Sequence, residues 1–111
     1  MNAPVIDPAT FAELQDTAGT DFVGELVATF FEEAPQMIGE LRAAQAAGAA
    51  EAFRRAAHSI KSNSNTFGAM QLGEMARKLE LGGLVSDAGP VDALQAEYER
   101  VAAALKALIN G

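Results

Sequence analysis

EAFRRAAHSIKSNSNTFG, residues 51–68, has the spacing of an amphipathic helix. Its apolar and small residues recur mainly at intervals of three and four, which brings them to one side of an α-helix. At about 100° per residue this side is centred near Ile60, and His58 lies roughly 150° away from it. The segment therefore predicts a helix that exposes its histidine and buries Phe53, Ala56, Ala57, Ile60, Ser64 and Phe67.

His58 is the only histidine in the chain, and its expected neighbours on the helix surface are polar or cationic. Arg54, Lys61, Ser62 and Asn65 fall within about 60° of it around the helix axis. A neutral imidazole has a free nitrogen lone pair, so it can act as a nucleophile near neutral pH. Cations beside it can stabilise a dianionic group attached to the ring. The pattern indicates a nucleophilic surface histidine, with an ordinary solvated helix face as the alternative.

Positive charge is concentrated around this histidine in an otherwise acidic chain. The formal net charge is −7, whereas residues 50–66 carry Arg54, Arg55 and Lys61 against the single carboxylate of Glu51. An acidic surface repels phosphate backbones and anionic lipids, so we expect neither nucleic acid nor a membrane as a partner. We expect the histidine itself to lie in a locally positive surface.

The length of 111 residues allows one domain, residues 1–111, with its helical core over about residues 20–110. The chain has no cysteine, which excludes disulfides and thiol catalysis and fits a reducing compartment. The N-terminus does not resemble a secretory signal, and no apolar run approaches about 18 residues, so we expect a cytoplasmic protein without a membrane span. The initial methionine favours a complete small protein, and we expect a monomer.

A short helix is predicted near the N-terminus. Asp7 and Pro8 are typical residues for the N-cap and the first helical position. Phe11 and Leu14 would anchor this helix, and Gly19 would end it.

A long helix is predicted over about residues 21–46, where apolar residues recur at helical intervals. Pro35 lies inside it, and we expect a kink rather than a break because the apolar pattern continues to Leu41. Gly48 would close this helix. Its expected buried face contains Phe22, Leu26, Phe30, Met37 and Leu41, widened by Val23, Val27 and Phe31.

Two more helices are predicted after Gly68, one over residues 69–82 and one that begins at Pro90. Together the helices predict an all-α protein, an up-down-up-down antiparallel four-helix bundle with a short N-terminal capping helix. The expected apolar positions are Met70, Leu72, Met75, Ala76 and Leu79 in the first of these helices and Val91, Leu94, Tyr98, Val101, Leu105 and Leu108 in the second.

The order of residues around the histidine is similar to that of a known family. The chain reads His58, Ser59, Ile60, Lys61, Ser62, Asn63 and Ser64, followed by Gly68, Ala69 and Leu72. This resembles the pattern H-x-L-K-G-S-S-x-x-x-G-A-x-x-L of histidine-containing phosphotransfer (HPt) domains. ARKLE, which ends at Leu79 and Glu80, resembles the helix that follows in the family, and FFEEAPQMIGELRAAQAAG resembles the helix that precedes. The resemblance covers roughly residues 20–110.

The resemblance implies a phosphoryl carrier in a two-component phosphorelay. His58 would accept a phosphoryl group on Nε2 from a histidine kinase or from the aspartate of a response-regulator receiver domain. It would then pass the group to another receiver aspartate. The receiver would supply the divalent cation and most of the catalysis, so we expect neither a cofactor nor autonomous catalysis in this chain.

The resemblance also implies roles for the neighbours of the histidine. Lys61 would neutralise phosphoryl charge, with Ser62 and Asn65 close to the phosphoryl group. Arg54 and Arg55 would guide the docking of a receiver. Ser62 stands where the family usually has a glycine that a partner approaches closely, and the next residue replaces a usual serine.

Other kinds of function have less support. A zinc site takes about four ligands, and a chain with one histidine and no cysteine offers few, so we expect no metal site. No serine–histidine–acid set or glycine-rich phosphate loop is present, which disfavours a self-contained enzyme. The main alternative is a helical interaction module that binds receivers without carrying phosphate, and the two departures from the family pattern favour it.

Overall fold

Five α-helices contain most of residues 4–110, the part of the chain described by the computed structural model. No strand occurs within that range, which confirms the predicted all-α fold; residues 1–3 and 111 of the expected domain lie outside it. Among these helices none is both long enough and apolar enough to cross a membrane. The helices are α1 (Pro8–Ala18), α2 (Thr20–Ala47), α3 (Ala50–Thr66), α4 (Met70–Gly82) and α5 (Gly89–Asn110).

The start of α1 and the end of α2 lie at residues that the sequence predicts as helix caps. The Asp7 carboxylate accepts hydrogen bonds from the backbone N–H of Thr10 at 3.0 Å and from its hydroxyl at 2.6 Å, so it caps α1 as predicted. Gly48 has a φ of 67° and ends α2 in the left-handed conformation that glycine adopts without strain.

The long helix α2 continues through Pro35 without a break, in agreement with its unbroken apolar pattern. Its rotation differs from the prediction: Phe22 is 51% exposed, whereas Val23 and Val27 are fully buried. The predicted face was centred on the largest residues, but the small Ala34 occupies the core and moves the centre of the buried side. The buried residues of α2 are Val23, Val27, Phe30, Ala34, Ile38, Leu41 and Ala44.

Two positions that were expected in the core of α4 and α5 lie at the surface. Met70 is 48% exposed, because it lies roughly 150° around the helix from the centre of the buried residues Leu72, Ala76 and Leu79. Leu108 is 46% exposed and belongs to the terminal turn of α5, in which residues 106–110 are all exposed. The remaining predicted positions of α5 are buried, except Tyr98, which is half-buried.

The packing of the helices leaves the outer surface of α3 and α4 accessible. α2 packs against α3 and α5, α4 packs against the same two helices, and α1 packs against α2 and α3. The Asp7 N–H donates to the Gly68 carbonyl at 2.8 Å, which ties the start of α1 to the turn between α3 and α4. Gly68 has a φ of 83°, and a Cβ there would lie 3.0 Å from the Thr10 Cβ, so glycine is needed at this turn.

Candidate functional site

His58 lies in the middle of α3 on the side that faces solvent. Its side chain is 54% exposed, whereas Ile60 and Phe53 are buried on the opposite side of the helix. This placement confirms the exposure that was predicted from the apolar pattern of residues 51–68. The predicted buried side of α3 is also confirmed, including the small Ser64, whose hydroxyl donates to the Ile60 carbonyl at 2.6 Å.

Glu80 of α4 lies beside His58 and forms the centre of the site. Its Oε2 atom is 2.8 Å from His58 Nδ1 and 3.9 Å from an Arg54 guanidinium nitrogen, and its Oε1 atom is 2.8 Å from Lys61 Nζ. The Glu80 side chain is only 11% exposed. A carboxylate with so little access to water therefore joins the imidazole to two cations of α3.

The surroundings of Glu80 favour its ionised form. Hydrogen bonds from Lys61 and then His58 lower the pKa of the Glu80 carboxyl below its ordinary range, and they outweigh the opposing effect of its partial burial. Near neutral pH this group is a carboxylate, which can only accept hydrogen bonds.

The contact with Glu80 determines which ring nitrogen carries the proton in neutral His58. Since the carboxylate is an acceptor, Nδ1 must be the donor across the 2.8 Å contact. The lone pair of the neutral ring is then on Nε2, for which the structure records no hydrogen-bonding partner among residues 4–110. The arrangement makes Nε2 a nucleophile on an exposed helix face.

Two of the cations around His58 form ion pairs that the sequence did not indicate. Lys61 is 26% exposed and pairs with Glu80, while Arg54 forms an ion pair of 2.5 Å with Glu51 and lies at 3.9 Å from Glu80. Arg55 is exposed, and no ion pair is recorded for it within the described residues. The expected positive surface thus has a carboxylate at its centre, contributed by another helix.

The other predicted site residues have different surroundings. Ser62 is exposed one turn from the histidine, and its carbonyl accepts from Thr66 Oγ1 at 3.0 Å. The side chain of Asn65 lies two turns from the histidine, against Gly73 of α4, where an added Cβ would overlap its Oδ1 atom. The Asn63 amide donates to the Ser59 carbonyl at 2.8 Å, so this departure from the family pattern is accommodated within α3.

The pairing of α3 with α4 explains why Glu80 was missed as a site residue. His58 lies beside Glu80 and Asn65 lies beside Gly73, so the two helices run in opposite directions with a defined offset. The sequence shows Glu80 at the end of ARKLE, but the periodicity of one helix carries no information about its offset relative to another. The only indication in the sequence was that Glu80 is a carboxylate on the polar side of the predicted helix that follows the histidine.

Comparisons with known proteins agree on the class to which this site belongs. The family model described as Hpt domain matches residues 25–104, so the chain belongs to the Hpt family. The chain is also similar to histidine-containing phosphotransfer protein B (HptB) from Pseudomonas aeruginosa PAO1, with a TM-score of 0.88 and 27% identity over 98% of this chain and 97% of that chain. A comparison with curated proteins found no match. The family and the structural match make the chain a histidine phosphotransfer protein of a two-component phosphorelay.

Proposed function

We propose that His58 is the residue that carries the phosphoryl group, attached at Nε2. The observation that carries this proposal is the 2.8 Å contact between His58 Nδ1 and Glu80, which leaves the Nε2 lone pair on the exposed side of α3. In the first transfer, Nε2 attacks the phosphorus of a receiver aspartyl phosphate. The P–Nε2 bond forms, the P–O bond breaks, and its electron pair remains on the aspartate carboxylate.

Lys61 is the cation best placed to neutralise the transferred group. It lies one turn beyond His58 on the same face of α3, and its ammonium is held 2.8 Å from Glu80 before transfer. A flexible lysine side chain can turn from the carboxylate to the incoming phosphoryl oxygens, where exclusion of water by the docked receiver strengthens the interaction. Asn65, which contacts Gly73, is an outer neighbour of the phosphoryl group.

The docking face comprises the exposed surface of α3 around the histidine. Arg55 is exposed and Arg54 is 48% exposed, so both can attract the acidic phosphorylation site of a receiver. The exposed Ser62 is small enough for a partner to approach closely, although the family usually has glycine there. The receiver supplies the divalent cation, and this chain needs no cofactor and has no autonomous catalysis.

The contacts between helices support the helix arrangement that we propose. Helices α2 to α5 form an up-down-up-down antiparallel bundle, since each contacts two of the others, and α1 caps the bundle at the turn around Gly68. We propose that residues 1–111 are one domain that acts as a cytoplasmic monomer. Its partners are histidine kinases and response regulators, without nucleic acid or a membrane.

Phosphate labelling of the His58→Gln variant tests this assignment. Incubation with a phosphorylated receiver should label the wild-type chain with acid-labile, alkali-stable phosphate and leave the variant unlabelled. The variant should lose less than about 0.5 kcal/mol of stability, because the side chain is exposed and a glutamine amide can also donate to Glu80. Labelling of the variant would show that another residue carries the phosphate.

The second candidate is an interaction module that binds receivers without carrying phosphate. The exposed serine at position 62, in place of the family's glycine, is the observation in its favour. If the wild-type chain binds receivers but takes up no phosphate from any receiver of a broad panel, this second function is the correct one.

A further inference from the structure

The contact between Glu80 and His58 has a consequence for the phosphorylated protein. We propose that Glu80 keeps a proton on Nδ1 after Nε2 has been phosphorylated, so that the leaving group in the next transfer is neutral imidazole and the chain is poised as a donor. Glu80 is then a positioning residue that acts through the imidazole. This inference rests on the proposed phosphorylation of His58 at Nε2.

In the second transfer, the proton on Nδ1 determines which leaving group is formed and therefore how fast the phosphoryl group is released. When a receiver aspartate attacks the phosphorus, a P–O bond forms, the P–Nε2 bond breaks, and its electron pair returns to Nε2. With a proton on Nδ1 the leaving group is neutral imidazole, and the aspartate becomes an aspartyl phosphate. Without that proton the leaving group is an imidazolate anion, which is a far stronger base and leaves much more slowly.

The position and low exposure of Glu80 favour retention of this proton in the phosphorylated state. A ring with phosphorus on Nε2 and a proton on Nδ1 carries a positive charge, and a hydrogen bond from a cation to a carboxylate is roughly twice as strong as a neutral one. Glu80 accepts from Nδ1 at 2.8 Å and is 11% exposed, so water competes little for its oxygen. The carboxylate thus stabilises the protonated ring specifically.

The two oxygens of Glu80 serve different partners. Oε1 faces Lys61 and Oε2 faces His58, so Lys61 can turn to the phosphoryl group while Oε2 keeps its bond to Nδ1. Loss of the lysine contact leaves a mostly buried carboxylate with fewer donors, and this strengthens its preference for the Nδ1 proton.

The charged groups that face the imidazole are few. Glu80 comes from α4, and Arg54 and Lys61 come from α3. No side chain of α1 or α2, the other helices that pack against α3, is recorded in an ion pair with these groups in residues 4–110. Arg77, another cation of α4, pairs with Glu74 at 2.8 Å and is not recorded in an ion pair with Glu80.

The test compares the stability of phosphohistidine in the wild-type chain and in Glu80→Gln as a function of pH. Both proteins are loaded with phosphoramidate, a small phosphoryl donor, and the first-order loss of phosphate is followed from about pH 5 to pH 9. The rate should fall where Nδ1 loses its proton. We expect this fall to occur at least about one pH unit higher in the wild type, which corresponds to about tenfold faster loss than in the variant at alkaline pH.

Glu74→Gln is the matched control, since it makes the same change on α4 at a carboxylate that pairs with Arg77 instead of the histidine. Its pH profile should follow the wild type. As a second measurement, the nitrogen-15 chemical shifts of phosphorylated wild-type His58 should show a protonated Nδ1 near pH 8, whether or not Glu80→Gln folds.

The outcomes separate this inference from the proposed function. If the wild type is loaded on His58 but its pH profile coincides with that of a folded Glu80→Gln variant, the donor role of Glu80 is wrong and phosphotransfer through His58 stands. An unprotonated Nδ1 near pH 8 would overturn it in the same way. Failure of the wild type to take up phosphate from either phosphoramidate or a receiver would overturn both.

Discussion

At the residue scale, the two nitrogens of His58 have different surroundings. Nδ1 contacts Glu80 at 2.8 Å, which places the proton of the neutral ring on Nδ1 and the lone pair on Nε2 of an exposed side chain. Lys61 shares the same carboxylate at 2.8 Å. Glu80 of α4, shared with Lys61 of α3, therefore fixes the tautomer and the charged surroundings of one imidazole.

Replacement of Lys61 by alanine should slow phosphotransfer more than it weakens receiver docking. The Lys61 side chain is 26% exposed and directed toward Glu80, which places it beside the imidazole rather than on the outer surface. Rapid-quench measurements at saturating receiver should show a rate lower by roughly tenfold, as expected for loss of one charge-assisted contact. The exposed Lys78 of α4 provides a control, because Lys78→Ala removes the same charge without touching the site. An unchanged saturated rate with a weaker apparent affinity would make Lys61 a docking residue.

The depressed pKa of Glu80 predicts a pH-dependent contribution to stability. Interactions with Lys61 and His58 lower the pKa of this carboxyl in the folded state, so they stabilise the fold at pH values above the ordinary glutamate pKa of about 4.3. This contribution is lost as the pH falls through the lower folded-state pKa. Denaturant unfolding should therefore show wild type more stable than Glu80→Gln at pH 6, with the difference shrinking toward pH 3. A difference that grows on acidification would show that the Glu80 pKa is raised.

At the element scale, the offset between α3 and α4 creates the site. Gly73 gives the Asn65 side chain room against α4, and Gly68 allows the close approach of Thr10 at the turn between the helices. Both glycines lie where α3 and α4 meet, and it is the alignment of these two helices that brings Glu80 opposite His58. Helix α5 takes no direct part in the site and instead closes the core, with Val91, Leu94, Val101 and Leu105 fully buried.

Single alanine substitutions of Leu105 and Leu108 should show that the buried side of α5 contributes more stability than its exposed terminal turn. Leu105 is fully buried, so Leu105→Ala should cost about 2–5 kcal/mol of stability through lost burial and the cavity that remains. Leu108 is 46% exposed, and the same truncation there should cost less than about 1 kcal/mol. Chemical denaturation of both variants measures the difference, and equal costs would mean that the rotation of α5 is wrong.

At the scale of the whole molecule, the charge is divided between a group of cations on α3 and an acidic remainder. The chain has a formal net charge of −7, yet Arg54, Arg55 and Lys61 lie together on α3. Glu80 and Glu51 neutralise part of this surface by pairing with Lys61 and Arg54. Arg55 is exposed without a recorded ion pair in the described residues, so under the proposed function it is the cation best placed to attract an acidic receiver at long range.

Arg55→Ala should slow the association with a receiver at low salt by roughly two- to fivefold, and the effect should fade as screening increases. Stopped-flow association at several ionic strengths measures this change. Lys106→Ala is the matched control, because it removes one exposed positive charge from α5, which does not pack against α3. If both variants slow association equally, net charge and not the face around His58 directs the encounter.

Much of the fold could be predicted because helix formation depends on local patterns. The start of α1 at Asp7 and Pro8, the end of α2 at Gly48, and the buried side of α3 all follow from capping residues and periodicity. The errors occurred at Phe22, Met70 and Leu108, which are apolar but exposed. Hydrophobicity alone does not show which of several apolar residues a neighbouring helix will cover.

The sequence by itself determined that the chain is helical and that His58 is exposed, because the period of an α-helix is set by its own backbone. It also placed Lys61 one turn away on the same face. Only the tertiary structure decided that Glu80, 22 positions after His58 in the sequence, joins these two residues. That contact depends on the relative rotation and offset of α3 and α4, which arise from side-chain packing between the helices and not from the pattern within either one.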